Sequence, residues 1–177
     1  MMDKEELRGH FLKIRKAINK QRREEAREMI WPLIESRLEK YKAVLSYIPL
    51  KDEVDMSLVN EQLALRRALI LSRIEFHEIR LYSIEDPKIS LIKGAHGFLE
   101  PDPDVHLFTE HCEVALIPGV AFDSQKNRIG FGFGHFDRFL QANPTIFKIG
   151  IGFREQLSSK IFPMTEHDVP MDELCLV

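Results

Sequence analysis

Between residues 116 and 140 the sequence concentrates residue types that can bind phosphate. After a run of apolar residues, Arg128 stands in a loop, and Gly130, Gly132 and Gly134 alternate just before a segment with helical pattern. Glycine has no Cβ, so backbone N–H groups there can approach a phosphate closely. The helix that follows directs the partial positive charge of its N-terminus to the same place. These features predict an anion-binding turn between a strand and a helix.

Two charged side chains of this segment can act on a bound phosphate. Arg128 has a planar, permanently charged guanidinium whose fork matches phosphate oxygens. Asp137, in the first turn of the helix, supplies a carboxylate that can hold a Mg²⁺ bridging those oxygens. The glycines alone are equally compatible with an ordinary tight turn. The segment is not a Walker A loop, because it lacks Gly-Lys-Ser/Thr, and His135 stands where a dinucleotide fingerprint requires a third glycine.

The same segment closely resembles the signature of the 5-formyltetrahydrofolate cyclo-ligase family. The similarity begins with PGVAFD at 118–123 and continues from NRIG at 127–130 through DRFL at 137–140. The other similar segments follow in the family's order and extend the resemblance over nearly the whole chain. They are Lys4-Glu5-Glu6-Leu7-Arg8, YIPLKDEVD at 47–55, GFLEP at 97–101, and His167-Asp168 followed by Met171-Asp172.

The resemblance implies an ATP- and Mg²⁺-dependent enzyme that converts 5-formyltetrahydrofolate to 5,10-methenyltetrahydrofolate with release of ADP and phosphate. In this family ATP phosphorylates the formyl oxygen, and N10 of the folate then closes the ring. Because the substrate supplies its own nucleophile, the protein must supply positioning and charge stabilisation.

The resemblance also assigns roles by position. Arg128 matches a residue that clamps the triphosphate, and we expect it to be the catalytic residue that stabilises charge on the moving phosphoryl group. Glu53 and Phe136 match folate-contacting residues, and Asp137 and Asp168 match the Mg²⁺ ligands. The residues that match the nucleotide site are Lys4, Arg8, Arg128, Gly130, Phe131, Gly132, Phe133, Gly134 and His135.

The sequence departs from the family inside the glycine-rich segment. Phe131 and Phe133 separate the glycines where many members have other spacers, including Arg and Lys, and His135 and Phe136 replace two tyrosines. An aromatic ring persists at Phe136, without the hydroxyl. The three phenylalanines are also compatible with plain core positions, and for Phe133 a core position is the preferred interpretation.

Two other functions compete with the ligase. A small-molecule kinase on the same fold would keep Arg128 and the glycines but would not need the YIPLKDEVD segment at 47–55. A non-catalytic folate or nucleotide binder related to the ligase would be expected to lose charged residues. Arg128, Asp137 and Asp168 are all present, which favours the enzyme.

Composition limits the setting in which the protein works. The chain has 177 residues, 44% of them hydrophobic and 30% charged, which is typical of one globular domain spanning 1–177. Its net charge of −3 gives no overall basic field for nucleic acid or an anionic membrane. Cys112 and Cys175 form no paired motif, and the N-terminus lacks an apolar signal segment. We therefore expect a cytosolic protein. We also expect it to act as a monomer.

The elements that must position these residues alternate between helices and short apolar strands. That order predicts an α/β three-layer sandwich with a mostly parallel central sheet. Basic pairs such as Arg15-Lys16, close to acidic residues, predict a solvated helix face. Predicted helices cover 3–28 with Asp3 as N-cap, a second stretch that Pro32 kinks or begins, a third capped by Asp55, 135–142, and a short one before Pro163. Predicted strands are 43–48, 68–71, 76–81, 114–117 and 147–153, with 85–110 mostly loop.

Overall fold

The structure is a computed structural model that describes residues 3–88, 90–94 and 99–177. Its helices are α1 (Lys4–Ala17), α2 (Lys20–Leu38), α3 (Ser57–Leu65) and α4 (His135–Ala142), with a 3-10 turn at Arg154–Gln156. Its strands are β1 (Val44–Ser46), β2 (Leu69–Glu75), β3 (Glu78–Ser83), β4 (Leu91–Lys93), β5 (Leu99–Pro101), β6 (Val114–Pro118), β7 (Ala121–Asp123), β8 (Arg128–Ile129), β9 (Phe147–Gly152), β10 (Leu157–Ser158) and β11 (Glu173–Leu176).

A six-stranded sheet in the order β11-β9-β6-β1-β2-β3 forms the middle layer. Neighbouring strands pair in parallel except β2 and β3, which form an antiparallel hairpin. Both faces of the sheet are covered, so adjacent residues such as Val44 and Leu45 are both fully buried. Val44 shares a core with Ile30 and Ile34 of α2, and Leu45 shares one with Leu140 of α4. The predicted three-layer α/β sandwich is confirmed.

Helix α1 lies against a smaller sheet, β10-β7-β8, rather than against the main one. Leu7 and Phe11 of α1 share a third core with Ala121 and Ile129 of that sheet. Asp3 caps α1 as predicted, because its carboxylate accepts from the backbone of Glu5 and Glu6 while Glu6 bonds back to the Asp3 N–H. This packing places the first turns of α1 beside the segment that follows β8.

Several predicted bounds were wrong. The predicted helix 3–28 is interrupted at Ile18, where the backbone is extended and Asn19 caps a new helix. Pro32 lies inside α2 and does not begin it. Asp55 is not the N-cap of α3, because Met56 occupies that position without a side-chain cap, but the Asp55 carboxylate accepts from the Ser57 N–H at 2.8 Å. The predicted helix before Pro163 is only the 3-10 turn at Arg154–Gln156, followed by β10.

The 85–110 region is mostly loop in its described parts, with the short hairpin of β4 and β5. Of the GFLEP segment at 97–101, only Leu99–Pro101 is described, as β5, and the first two residues lie outside the described ranges. Among the residues that the structure describes, no helix is both long and apolar enough to cross a membrane.

Asp123, fully buried at the end of β7, holds the turn that leads to Arg128. Its carboxylate accepts from the backbone of Gln125, Asn127 and Phe162 at 2.8–3.0 Å and from the Asn127 side chain at 2.9 Å. We expect Asp123→Ala to lower the free energy of unfolding by about 3 kcal/mol, because buried donors lose a charged acceptor. Urea unfolding tests this, with Asp86→Ala, an exposed turn aspartate, as the control. A loss no larger than that of the control would contradict it.

Candidate active site

A cleft of about 380 Å³ opens beside the carboxyl ends of β2 and β6. Ser72, Ile74 and Ile79 of the β2–β3 hairpin form one side, and Pro118-Gly119 lies at the end of β6. The remaining lining residues come from the start of α1, the segment from β8 to α4, and Asp168. They include Lys4, Arg8, Arg128, Gly130, Phe131, Gly132, Phe133, Gly134, His135, Phe136, Asp137 and Asp168, which is every residue predicted to bind nucleotide or metal.

The glycine turn, residues 130–134, enters α4 with backbone angles that need glycine. Gly132 has φ of 100° and Gly134, the N-cap of α4, has φ of 67°, both in the left-handed region. No side chain of the described residues caps this helix end. The first N–H groups of α4 therefore stay available to an anion, as expected at a helix N-terminus beside a glycine turn.

Lys4 and Arg8 lie one helical turn apart on α1, Arg8 against the glycine turn and Lys4 against Asp168. The Nε of Arg8 donates to the carbonyl of Gly130 at 2.8 Å, and a Cβ on Gly132 would come within 3.4 Å of the Arg8 guanidinium. Lys4 forms an ion pair with Asp168. Two cations from one helix therefore border the cleft where the turn would bind phosphate.

Arg128 is held in the cleft wall by two contacts. Its side chain is 5% exposed, and one terminal nitrogen donates to Asp137 at 2.9 Å while the other donates to the Pro118 carbonyl at 3.4 Å. The guanidinium also lies 5.9 Å from the ring centroid of Phe136. Fixing a charged fork in this way prepares it to stabilise charge without reorganisation.

Asp137 and Asp168, the two predicted metal ligands, lie next to each other. The Val169 N–H, directly after Asp168, donates to Asp137 at 3.3 Å, and both carboxylates line the cleft. The described ranges contain no cluster of three or more His, Cys, Asp or Glu that could hold a metal unaided. Mg²⁺ commonly uses one or two carboxylates together with substrate phosphates and water, and this pair fits that donor set.

The Lys4–Asp168 pair makes stability depend on pH. Burial opposes charge on Asp168, but hydrogen bonds from Lys4 and Thr165 outweigh it and hold the pKa of Asp168 below its usual value. A carboxyl whose pKa is lower in the folded state adds stability above its unfolded pKa of about 3.9 and loses it as pH falls through the folded pKa.

We therefore expect Asp168→Asn to lower the melting temperature at pH 6–7, and we expect the difference to shrink towards pH 3. Scanning calorimetry of both proteins across this range measures it. A difference that stays constant with pH would contradict the ion-pair explanation.

The folate-side predictions had different outcomes. Phe136 lines the cleft as expected. Glu53 does not line it in the described residues; it is 8% exposed and lies behind the wall, where its carboxylate accepts from Arg15 at 3.3 Å and from the Leu50 N–H at 2.9 Å. Burial, the largest influence, raises the pKa of Glu53 against the lowering effect of Leu50 and Arg15. The assigned role of Glu53 stays a prediction.

Two interpretations of single residues were wrong. Phe133 is 73% exposed rather than in the core, because the glycine turn directs it away from the packed layers. Arg15 is 1% exposed rather than on a solvated face. A local signal for Arg15 existed, since it follows the buried Phe11 by four residues and therefore lies on the same face of α1.

The family model described as the 5-formyltetrahydrofolate cyclo-ligase family matches residues 1–177. A probable 5-formyltetrahydrofolate cyclo-ligase of Schizosaccharomyces pombe is 29% identical over 55% of this chain and 55% of its own length. The 5-formyltetrahydrofolate cyclo-ligase of Mus musculus is 26% identical over 75% of this chain and 72% of its own.

Solved structures give the same result. The 5,10-methenyltetrahydrofolate synthetase of Aquifex aeolicus is 32% identical, has a TM-score of 0.86, and covers 98% of this chain and 89% of its own. The corresponding synthetase of Mycoplasma pneumoniae, 24% identical with a TM-score of 0.77 over 98% of both chains, supports the fold alone. The chain belongs to the 5-formyltetrahydrofolate cyclo-ligase family, a family of ligases.

Proposed function

We propose that this chain uses ATP and Mg²⁺ to convert 5-formyltetrahydrofolate into 5,10-methenyltetrahydrofolate, with release of ADP and phosphate. The main support is that three cations, a glycine turn at a helix N-terminus and two adjacent carboxylates line a single cleft. This is the set of groups needed to bind a triphosphate and to stabilise a moving phosphoryl group.

The first chemical step transfers the γ-phosphoryl group to the formyl oxygen. A new P–O bond forms at the formyl oxygen while the bond to ADP breaks. Arg128 supplies the fixed charge that stabilises the transferring group, because Asp137 and the Pro118 carbonyl hold its guanidinium in place. Lys4 and Arg8 neutralise the remaining phosphates, and the glycine turn donates backbone N–H groups.

The second step closes the ring. N10 of the folate attacks the activated formyl carbon, loses its proton, and phosphate leaves with the former formyl oxygen. No side-chain nucleophile is required, so the protein's part is to hold N10 near the carbon and to exclude water. Phe136 presents an aromatic surface on which the folate can pack.

Asp137 and Asp168 are the residues that would hold Mg²⁺, which would neutralise charge on the phosphate oxygens when bound. In the free protein each carboxylate is paired, Asp137 with Arg128 and Asp168 with Lys4. These pairs hold the carboxylates in position. We propose that the enzyme works in the cytosol, as its cysteine content suggests, and that it works as a monomer.

The direct test of this proposal is nucleotide stoichiometry. Purified protein with MgATP should release one ADP for each 5-formyltetrahydrofolate consumed, and negligible ADP with tetrahydrofolate, which lacks the formyl group. ADP release with no loss of 5-formyltetrahydrofolate would instead indicate a kinase or ATPase. Binding of the folate without ADP release would indicate a non-catalytic binder.

A further inference from the structure

Arg15 is the most deeply buried basic side chain in the described residues, and it contacts segments that surround the cleft. From α1, its Nε and one terminal nitrogen donate to the two oxygens of Asp52, each at 3.1 Å. The other terminal nitrogen donates to Glu53 at 3.3 Å and to the Gly119 carbonyl at 3.2 Å. One guanidinium therefore joins the loop after β1 to the turn after β6.

The same guanidinium also reaches the glycine turn. Its central carbon lies 5.3 Å from the ring centroid of Phe131, a residue of that turn that lines the cleft. Arg15 thus contacts the loop that contains Glu53, the Gly119 end of the cleft, and the turn proposed to bind nucleotide. It does not itself line the cleft in the described residues.

Burying a guanidinium costs free energy that its ion pairs offset only when their geometry is good, so such a residue is weak evidence for stability. Its contacts instead fix geometry, because a planar fork constrains the direction of each partner. We propose that Arg15 is a positioning residue that places Glu53 and the glycine turn relative to each other for catalysis. This inference rests on the proposed function and goes beyond it by adding a residue outside the cleft.

If Arg15 acts through Glu53, the pH dependence of activity should follow the protonation of Glu53. A purely structural role for Arg15 would leave that pH dependence unchanged. The charged or titratable groups facing Glu53 are Arg15 from α1, Asp52 beside it in the loop, and Tyr47 just after β1. Burial raises the pKa of Glu53, and Arg15 counteracts this. Burial and the Glu53 charge raise the pKa of Tyr47, which therefore stays neutral. Loss of Arg15 therefore makes the Glu53 carboxyl protonate at higher pH.

The test compares Arg15→Met and Arg15→Lys with Lys16→Met, which removes an exposed charge from the next position of α1. We measure kcat and KM for both substrates against pH, 5-formyltetrahydrofolate affinity by calorimetry, and melting temperature. In Arg15→Met we expect kcat/KM for the folate to fall about 10- to 100-fold. In the pH profile of kcat/KM, we expect the fall at low pH, the acid limb, to move to higher pH because Glu53 is protonated there. Arg15→Lys retains the charge, so its acid limb stays in place while kcat/KM still falls, because the fork is lost. Lys16→Met behaves as wild type.

If the wild type is active and Arg15→Met has the same kcat/KM and the same acid limb, the inference about Arg15 is overturned while the proposed function stands. A loss of activity that matches the unfolded fraction, with KM and acid limb unchanged, would also overturn it. If Arg15→Met does not fold, unchanged kinetics in Arg15→Lys would overturn the inference. A wild type that neither turns over nor binds the folate would overturn the proposed function and this inference with it.

Discussion

Replacing Arg128 by alanine should lower kcat for ring closure by about 10²- to 10³-fold, the usual effect of removing one preorganised charge-stabilising donor. Arg128 is 5% exposed at its side chain, and Asp137 and the Pro118 carbonyl fix its fork in the cleft wall. The charge it stabilises develops as the phosphoryl group moves. The loss should therefore appear in kcat, with a smaller change in the KM for ATP.

Arg128→Lys separates charge from geometry. Lysine keeps the positive charge but not the fork, so this variant should recover only part of the lost rate. The matched control is Arg80→Ala, which removes an exposed arginine from β3 outside the cleft lining. Melting temperatures of all three variants show whether loss of the Arg128–Asp137 pair disturbs the fold. A folded Arg128→Ala enzyme with wild-type kcat would remove Arg128 from the mechanism.

The second large effect concerns the metal. Asp168→Asn should raise the Mg²⁺ concentration for half-maximal activity by at least about 10-fold, because a neutral amide replaces one of two proposed carboxylate ligands. Saturating Mg²⁺ should then restore much of kcat. Calorimetric titration with Mn²⁺ in the presence of ADP should show the same weakening without turnover.

Glu166→Gln is the control for this substitution. Glu166 lies two residues earlier, and its exposed carboxylate contacts His167 at the surface, so removal of its charge should leave the Mg²⁺ requirement unchanged. An equal Mg²⁺ requirement in Asp168→Asn and Glu166→Gln would show that Asp168 is not a metal ligand. In that case the metal site would have to be sought elsewhere.

The elements with strong local signals were predictable from the sequence. Asp3 with Glu6 three residues later is a capping box, and α1 begins there. The apolar runs at β1, β6 and β9 gave the parallel core, because strands covered on both faces are continuously apolar. Elements whose formation depends on pairing with distant segments were not predicted. β11 has only four residues, and its pairing with β9 fixes it.

The residues of the candidate site likewise fall into those with a local sequence signal and those without one. The glycine turn, Arg128 and Asp137 are close in sequence, so their placement in one cleft followed from the strand-turn-helix pattern. Lys4, Arg8 and Asp168 were placed only by resemblance, because they come from opposite ends of the chain. The environment of Arg15 was mispredicted, since two of its partners, Asp52 and Gly119, are 37 and 104 residues away. The exposure of Phe133 was missed because a run of aromatic residues does not show which way a turn faces.

The most direct test of the proposed ligase activity follows absorbance at the methenyl-folate band. Purified protein is mixed with 5-formyltetrahydrofolate, ATP and Mg²⁺, and each component is omitted in turn. We expect a rise that requires ATP and Mg²⁺ together and that almost disappears in Arg128→Ala. A flat trace from folded wild-type protein with every component present would contradict the proposed activity.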